Sequence, residues 1–184
     1  MGLDIFYNVD NDDEIFTFEY ITDDELKRHH ELTRTFANLM SRKNVIPENE
    51  KTELDQISQI TGIDLSSISH LDEIPDLGEL EEILEYDPEY YEEQKVEYEI
   101  QRSKIENNLD EVSSKITELI EKLKEKEDLY RLLSFTSFDS LNSSVYFKKE
   151  NNGGDNFYTD LNNFKNFVDY ARSKGTKTIW FRYS

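Results

Sequence analysis

Leu3-Asp4-Ile5-Phe6-Tyr7-Asn8-Val9 near one end of the chain and Thr176-Lys177-Thr178-Ile179-Trp180-Phe181-Arg182-Tyr183 near the other are the stretches from which the fold is read. The first alternates, with Leu3, Ile5, Tyr7 and Val9 on one face, as a half-buried strand does. The second is rich in β-branched and aromatic types, which suit a pleated, partly buried surface. Strands from the two ends of a chain readily share a sheet. Working inward, Ile15-Phe16-Thr17-Phe18-Glu19-Tyr20-Ile21 reads as a further strand. It is joined to the first by Asp10-Asn11-Asp12-Asp13, whose side chains bond their own backbone in turns, so a β-hairpin is expected. Ser144-Val145-Tyr146-Phe147 reads as one more short strand, and Asn151-Asn152-Gly153-Gly154 as a loop.

Helices should cover this sheet. Thr22-Asp23-Asp24-Glu25 has the form of a capping box, with Thr22 as N-cap and Glu25 three residues on. The helix it opens turns Leu26, His29 or His30, Thr33, Phe36, Ala37 and Met40 inward and ends at Arg42-Lys43, where the helix dipole favours cations. Pro47 begins a short helix through Leu54, Ile57 and Ile60 that stops at Gly62, and Ile63-Asp64-Leu65-Ser66-Ser67 turns into another short element. Near the other end, residues 160–173 are amphipathic, with Leu161, Phe164, Phe167, Val168 and Ala171 on one face and Gly175 as the stop.

The middle of the chain carries a different signal. From Glu89 to Leu133 there is neither Gly nor Pro. Tyr98, Ile105, Val112 and Leu119 recur every seventh residue, and so do Leu109, Ile116, Leu123 and Tyr130, four places out of step. That is an a/d pattern. Glu and Lys fill the outer positions of 115–127, with a favourable Glu118–Lys122 pair and a like-charge Glu121–Glu125 pair. A single helix of this length would reach about 65 Å, so it must bend back, pair with the 79–86 segment across Asp87-Pro88 or pair with a second copy. The expected fold class is therefore α+β. A small antiparallel sheet formed by both termini is packed with helices, and a long helical hairpin or coiled coil projects from the middle. Residues 1–43 and 140–184 form the scaffold, 44–78 short helices and connections, and 79–135 the acidic helical segment.

Composition bounds what such a chain can do. Its 184 residues carry a formal charge of −20, with 36% hydrophobic and 34% charged residues. The 11 Phe and 11 Tyr make up for the scarcity of aliphatic residues, since each buries a large area. Charge of this sign repels nucleic acid and anionic lipid and attracts basic protein surfaces. The absence of Cys excludes disulfides and thiolate-held zinc and suits a reducing compartment. The first residues have neither the basic start nor the apolar core of a secretory signal, and Phe6 stands where a myristoylation signal needs Ser or Thr. No apolar run has the length of a membrane span. A cytoplasmic protein is expected.

Catalytic motifs are hard to find. His30-Glu31-Leu32-Thr33-Arg34 starts like a zinc-protease helix but has Arg34 where the second His belongs. His29 and His30 are neighbours that point about 100° apart on a helix. Only one of them could join His70 and a carboxylate in a zinc site, and solvated or core-edge histidines are the plainer expectation. Asp10-Asn11-Asp12-Asp13-Glu14 offers oxygen ligands for Ca²⁺ without the Gly and distant Glu of an EF-hand loop. No P-loop, dinucleotide fingerprint or nucleophile elbow is present, so a binding protein without cofactor is expected rather than an enzyme. A structural coiled-coil dimer and a metal-dependent enzyme are the alternatives.

The acidic run stands apart. Between Asp72 and Glu99 lie thirteen acids and one base, Lys95, so this segment holds −12 of the whole −20. Carboxylates three and four apart on a helix lie about 5–6 Å from one another, a spacing comparable to that of successive phosphates on a nucleic-acid strand. Tyr86, Tyr90, Tyr91 and Tyr98 are interleaved with them, and tyrosine is a frequent anchor of interfaces. The expected contact surface is Glu79, Glu81, Glu82, Glu85, Tyr86, Glu89, Tyr90, Tyr91, Glu92, Glu93 and Glu97. A solvated face that only keeps the helix dissolved is the alternative.

Met1-Gly2-Leu3-Asp4-Ile5-Phe6 resembles the start of small proteins of phages and mobile elements. Val145-Tyr146-Phe147-Lys148-Lys149 followed by Phe164-Lys165-Asn166-Phe167 resembles their later Tyr/Phe-rich segment before a helix. The resemblance covers the two ends and none of the helical middle, and it carries over no catalytic residue. It implies a phage setting, in which small acidic proteins often inhibit host nucleic-acid enzymes, as anti-CRISPR and anti-restriction proteins do. Together with the charge, it leads to the expectation of a non-catalytic inhibitor of a basic, nucleic-acid-binding protein. Such an inhibitor would bind neither nucleic acid nor membrane itself, and would be a monomer or a coiled-coil homodimer.

Overall fold

Both terminal stretches are strands, and they pair with each other. In the computed structural model, which describes residues 4–71, 74, 84, 86–134, 144–150 and 156–183, Ile5–Val9 forms β1 and Ile179–Tyr183 forms β2. They run antiparallel, with Ile5 opposite Tyr183 and Val9 opposite Ile179. This is the small sheet expected from the sequence, and with the helices around it the fold is α+β. Ile5, Tyr7, Val9, Ile179 and Phe181 face the core. Trp180, on the other face, is also buried, against Ile74 and Ile105.

The expected hairpin partner at 15–21 is not a strand. Asp12–Ile15 forms α1 and Phe18–Thr22 forms α2. The Asp/Asn run does its hydrogen bonding differently from a hairpin turn. Asp12 Oδ1 accepts from Val9 N at 3.2 Å, and Asp10 Oδ1 accepts from the N–H groups of Lys177 and Thr178 at 3.0 and 3.1 Å. These bonds end the strand and place Asp12, Asp13 and Glu14 in the first turn of a helix, where the dipole favours them. Thr17 then caps α2 through Tyr20 N.

The expected helix from Thr22 to Lys43 is two helices. Thr22 belongs to the end of α2, and Asp23 is the N-cap of α3 (Asp24–Arg28), accepting from Leu26 N at 2.9 Å. The chain then extends to Thr33, the N-cap of α4 (Arg34–Met40). The interruption has a cause in the buried Asp160, which accepts both the N–H and the hydroxyl of Thr33, at 3.0 and 2.7 Å. Those bonds hold Thr33 extended. Beyond α4, Arg42 is not a cation offered to a helix end: it is fully buried in a two-bond pair with Glu53, with Nε to Oε2 at 3.1 Å. Glu53 opens α5 (Glu53–Thr61), whose start is set by a capping box of Thr52 and Asp55 rather than by Pro47. Gly62 closes it in the left-handed conformation at φ 73°, and α6 (Ser66–Ser69) follows.

The heptad segment breaks as well. Pro88–Lys104 is α7 and Leu109–Glu125 is α8, separated by four non-helical residues. The sheet edge takes over the chain at that point. Asn107 adopts φ 59°, Asn107 N donates to Thr178 Oγ1 at 3.1 Å, and Leu109 N donates to Lys177 O at 3.0 Å. The Asn108 amide meets both the N–H and the C=O of Ile179 at 2.9 Å. On α8 the two heptad rows, Leu109, Val112, Ile116, Leu119 and Leu123, are buried in the chain's own core. The 79–86 partner expected across Asp87-Pro88 lies largely outside the described residues.

Leu129–Leu132 forms α9. Ser144–Phe147 is a 3-10 turn and not a strand, because Tyr146 turns its hydroxyl to Asp160 Oδ2 at 2.6 Å while Phe147 enters the core. Residues 151–154, expected as a loop, lie outside the described residues. The last helix, α10 (Phe157–Ser173), starts earlier than its apolar stripe suggests because Asn156 caps it through Thr159 N. Its end has the paired bonds of a Schellman motif, Gly175 N to Arg172 O and Thr176 N to Ala171 O. Gly175 sits at φ 88°, which suits Gly. The centre is aromatic: Tyr7 stacks on Phe167 at 3.7 Å between ring centres, with Phe164 and Phe181 at 5.8 Å.

Candidate functional site

The acidic segment becomes α7. Asp87 caps it through Tyr90 N at 3.1 Å, and Pro88 takes the first helical position, where its missing N–H costs no bond. Its acids lie toward the N-terminus and Arg102 and Lys104 in the last turn, so the charge order agrees with the dipole.

One end of this helix is tied down. Tyr98 and Ile105 pack with Trp180 and Ile74, and the Arg102 guanidinium lies 4.0 Å from the centre of the Trp180 ring. No residue of α7 itself is buried. Glu89, Glu92, Glu93, Glu97 and Glu99 are all exposed, and none forms an ion pair with another described residue. Among the anticipated tyrosines, Tyr86 is 86% and Tyr90 46% exposed, open to a partner. Tyr91 is half-buried, with Lys95 Nζ 5.9 Å from its ring centre. Glu79, Glu81, Glu82 and Glu85 lie outside the described residues.

Two residues of this surface escape a reading by charge. Val96 is 56% and Ile100 45% exposed. At four residues' separation they lie one above the other, and the 100° step of a helix sets Glu89, Glu92 and Glu93 around them. Their signal in the sequence is that both fall outside the heptad rows that run through Tyr98 and Ile105. An apolar pair with a rim of carboxylates has the layout of a protein interface, apolar at its centre and polar around it.

The histidines do not meet. His29 and His70 are exposed, at the ends of α3 and α6. His30 is buried, and its Nδ1 shares a hydrogen bond of 3.1 Å with the Tyr20 hydroxyl. Burial holds the ring down to about 4, with the neighbouring His29 adding to the effect, and it pushes Tyr20 up to about 12. Both groups are thus neutral at neutral pH. Among the described residues no three His, Asp or Glu side chains converge as a metal would need, and no helix is long and apolar enough to cross a membrane.

Comparison with known proteins finds no matching family model, no matching curated protein and no matching solved structure.

Proposed function

We propose that this protein binds, without catalysis, a basic partner protein whose own surface handles nucleic acid, and that α7 is the surface it presents. In the phage setting that the terminal segments resemble, this is an inhibitor of the anti-CRISPR or anti-restriction kind. The observation that carries the reading is the exposed face of α7. Its carboxylates form no ion pair with another described residue, and Val96 and Ile100 stand outward in their midst. Carboxylates without an ion-pair partner can take charge-assisted bonds from Lys and Arg, and the apolar pair supplies a centre from which water is excluded. The heptad residues of α8 are inside the core, so α7 is the helix with a face to offer.

The test is affinity capture from a bacterial lysate at low salt, with the native chain and two variants as bait. One variant carries Glu89→Lys, Glu92→Lys, Glu93→Lys and Glu97→Lys; the other carries Val96→Asp and Ile100→Asp. Helical circular dichroism should change little, because none of these side chains is part of the core. The expected result is a nucleic-acid-binding protein retained by the native chain and by neither variant. Retention by both variants at native level would remove α7 from the reading.

A further inference from the structure

The two edges of the sheet are finished differently. Asp10 donates its N–H to Thr178 O at 3.2 Å, continuing the β1–β2 register by one step. In an antiparallel pair the inter-strand bonds fall on every second residue. Phe6 and Asn8 therefore turn N–H and C=O toward β2, while Ile5, Tyr7 and Val9 turn theirs away. On β2 the same parity sends Ile179 and Phe181 outward, and both are met. Leu71 O accepts from Phe181 N at 2.7 Å, and the Asn108 amide takes both groups of Ile179. On β1, Asp12 meets Val9 N and stops there. The outward N–H and C=O of Ile5 and Tyr7 have no partner among the described residues.

These groups border a groove of about 640 Å³ between β1 and the α2–α3 region, with Phe6, Tyr7, Tyr20, Ile21, His30 and Glu31 in its lining. Two of those side chains also carry unmet polar atoms. Among the described residues the buried Tyr7 hydroxyl has no partner, and neither has the second ring nitrogen of His30, whose Nδ1 is bonded to Tyr20. Unpaired backbone on a strand edge is a template for another strand, and concave grooves lined by aromatic side chains with a few polar groups are where ligands bind.

We infer that this groove accepts one extended peptide segment of basic composition, which adds to β1 as a third strand at Ile5 and Tyr7. The open groups recur two residues apart, about 6.6–6.8 Å along a strand, and an extended backbone presents donors and acceptors at that interval. The charge follows from what is already taken. Asp24 holds Lys27 at 2.9 Å and Arg34 holds Asp4 at 2.6 Å. Arg182 lies against the ring of Phe6, its charge 5.5 Å from the ring centre. Asp12 and Glu31 are exposed groove carboxylates without an ion pair among the described residues, and the chain around them carries −20. Backbone pairing supplies the affinity and the alternate side chains the selectivity, as in other strand-addition complexes. The site shares no residue with α7 and stands whether or not α7 binds a partner.

The experiment titrates the acetylated, amidated heptapeptide Lys-Val-Lys-Tyr-Lys-Val-Lys into the whole chain and follows backbone amides by NMR and hydrogen exchange. In the free protein Tyr7 N–H should exchange quickly and Asn8 N–H slowly. With peptide, Tyr7 N–H should become protected. Of two analogues, one N-methylated on the lysines and one on the apolar residues, one should bind about tenfold more weakly or worse, because it removes the donors that face β1. Glu31→Lys should weaken binding roughly three- to tenfold, and the fourfold Lys variant of α7 should bind through Ile5 and Tyr7 as the native chain does. Three results overturn the inference. They are slow exchange of Tyr7 N–H in the free chain, no change at the Ile5 and Tyr7 amides up to millimolar peptide, and equal binding by the parent and both analogues.

Discussion

His30 is buried between Tyr20, Phe167 and Tyr170, with ring centres 5.4–5.8 Å away. Burial is the main reason its proton is held only below about pH 4, whereas an unfolded chain takes it up near 6.5. As pH falls from 6.5 toward 4, the unfolded state gains a proton that the folded state refuses, so stability drops across that window. Above 6.5 the group contributes no pH dependence. At pH 5 the loss from this one site is about 1–2 kcal/mol. The His30→Gln variant should therefore lose less urea resistance than the native chain between pH 7 and pH 5; an equal loss in both would show that the ring is not the source. Little at this scale is legible in the sequence. Arg42, Glu53 and Asp160 look like the other charged residues of an acidic chain. Yet each is fully buried, and their partners are distant in sequence: Arg42 with Glu53, and Asp160 with Thr33 and Tyr146. No local pattern marks such a meeting. The same bonds to Asp160 explain two errors of element assignment, the helix broken at Thr33 and the supposed strand at Tyr146.

Among elements, the break between α7 and α8 shows what periodicity can and cannot tell. The heptad rows correctly mark the buried face of α8, because the spacing of apolar residues records which side of a helix is dry. They run on through Ile105 without a gap, yet the helix does not. Asn107 and Asn108 give their hydrogen bonds to Thr178 and Ile179, a competition that exists only once β2 is in place. The Asn108→Ala variant should lose about 1–3 kcal/mol in urea unfolding, since it leaves both groups of Ile179 without their partner. Trp180, the single Trp of the chain, adjoins Ile179, so its emission should shift to the red in the folded variant. Unchanged stability and emission would mean that the clamp contributes nothing. The acidic face was legible as charge, and its placement on an exposed helix follows from the absence of any apolar stripe through Glu89–Glu97. Val96 and Ile100 escape a reading by charge, and only their place outside the heptad rows marks them as outward-facing rather than core.

Across the whole molecule, alternation at one end and β-branched, aromatic composition at the other were enough to indicate that the termini share a sheet. The false strand at 15–21 arose because Ile, Phe and Tyr serve equally on short helices that press aromatic side chains into a core. Net charge acts at this scale too. Repulsion among twenty excess negative charges reaches about 30 Å at 0.01 M salt and about 10 Å at 0.1 M. Calorimetry should therefore show the melting temperature rising by a few degrees between 10 and 200 mM NaCl, about 1 kcal/mol for a chain of this size. A flat or falling curve would mean that the repulsion is already balanced locally. Salt would thus strengthen the fold while weakening the proposed capture of a basic partner by α7. The pairing of Ile5 with Tyr183 has a mechanical consequence. Force applied through these two neighbouring ends opens the ladder like a zip, one hydrogen-bonded pair at a time from Phe6–Arg182 inward, rather than shearing all pairs together. Pulled from its ends, the chain should give way at low force, with the helices still packed when the two strands part.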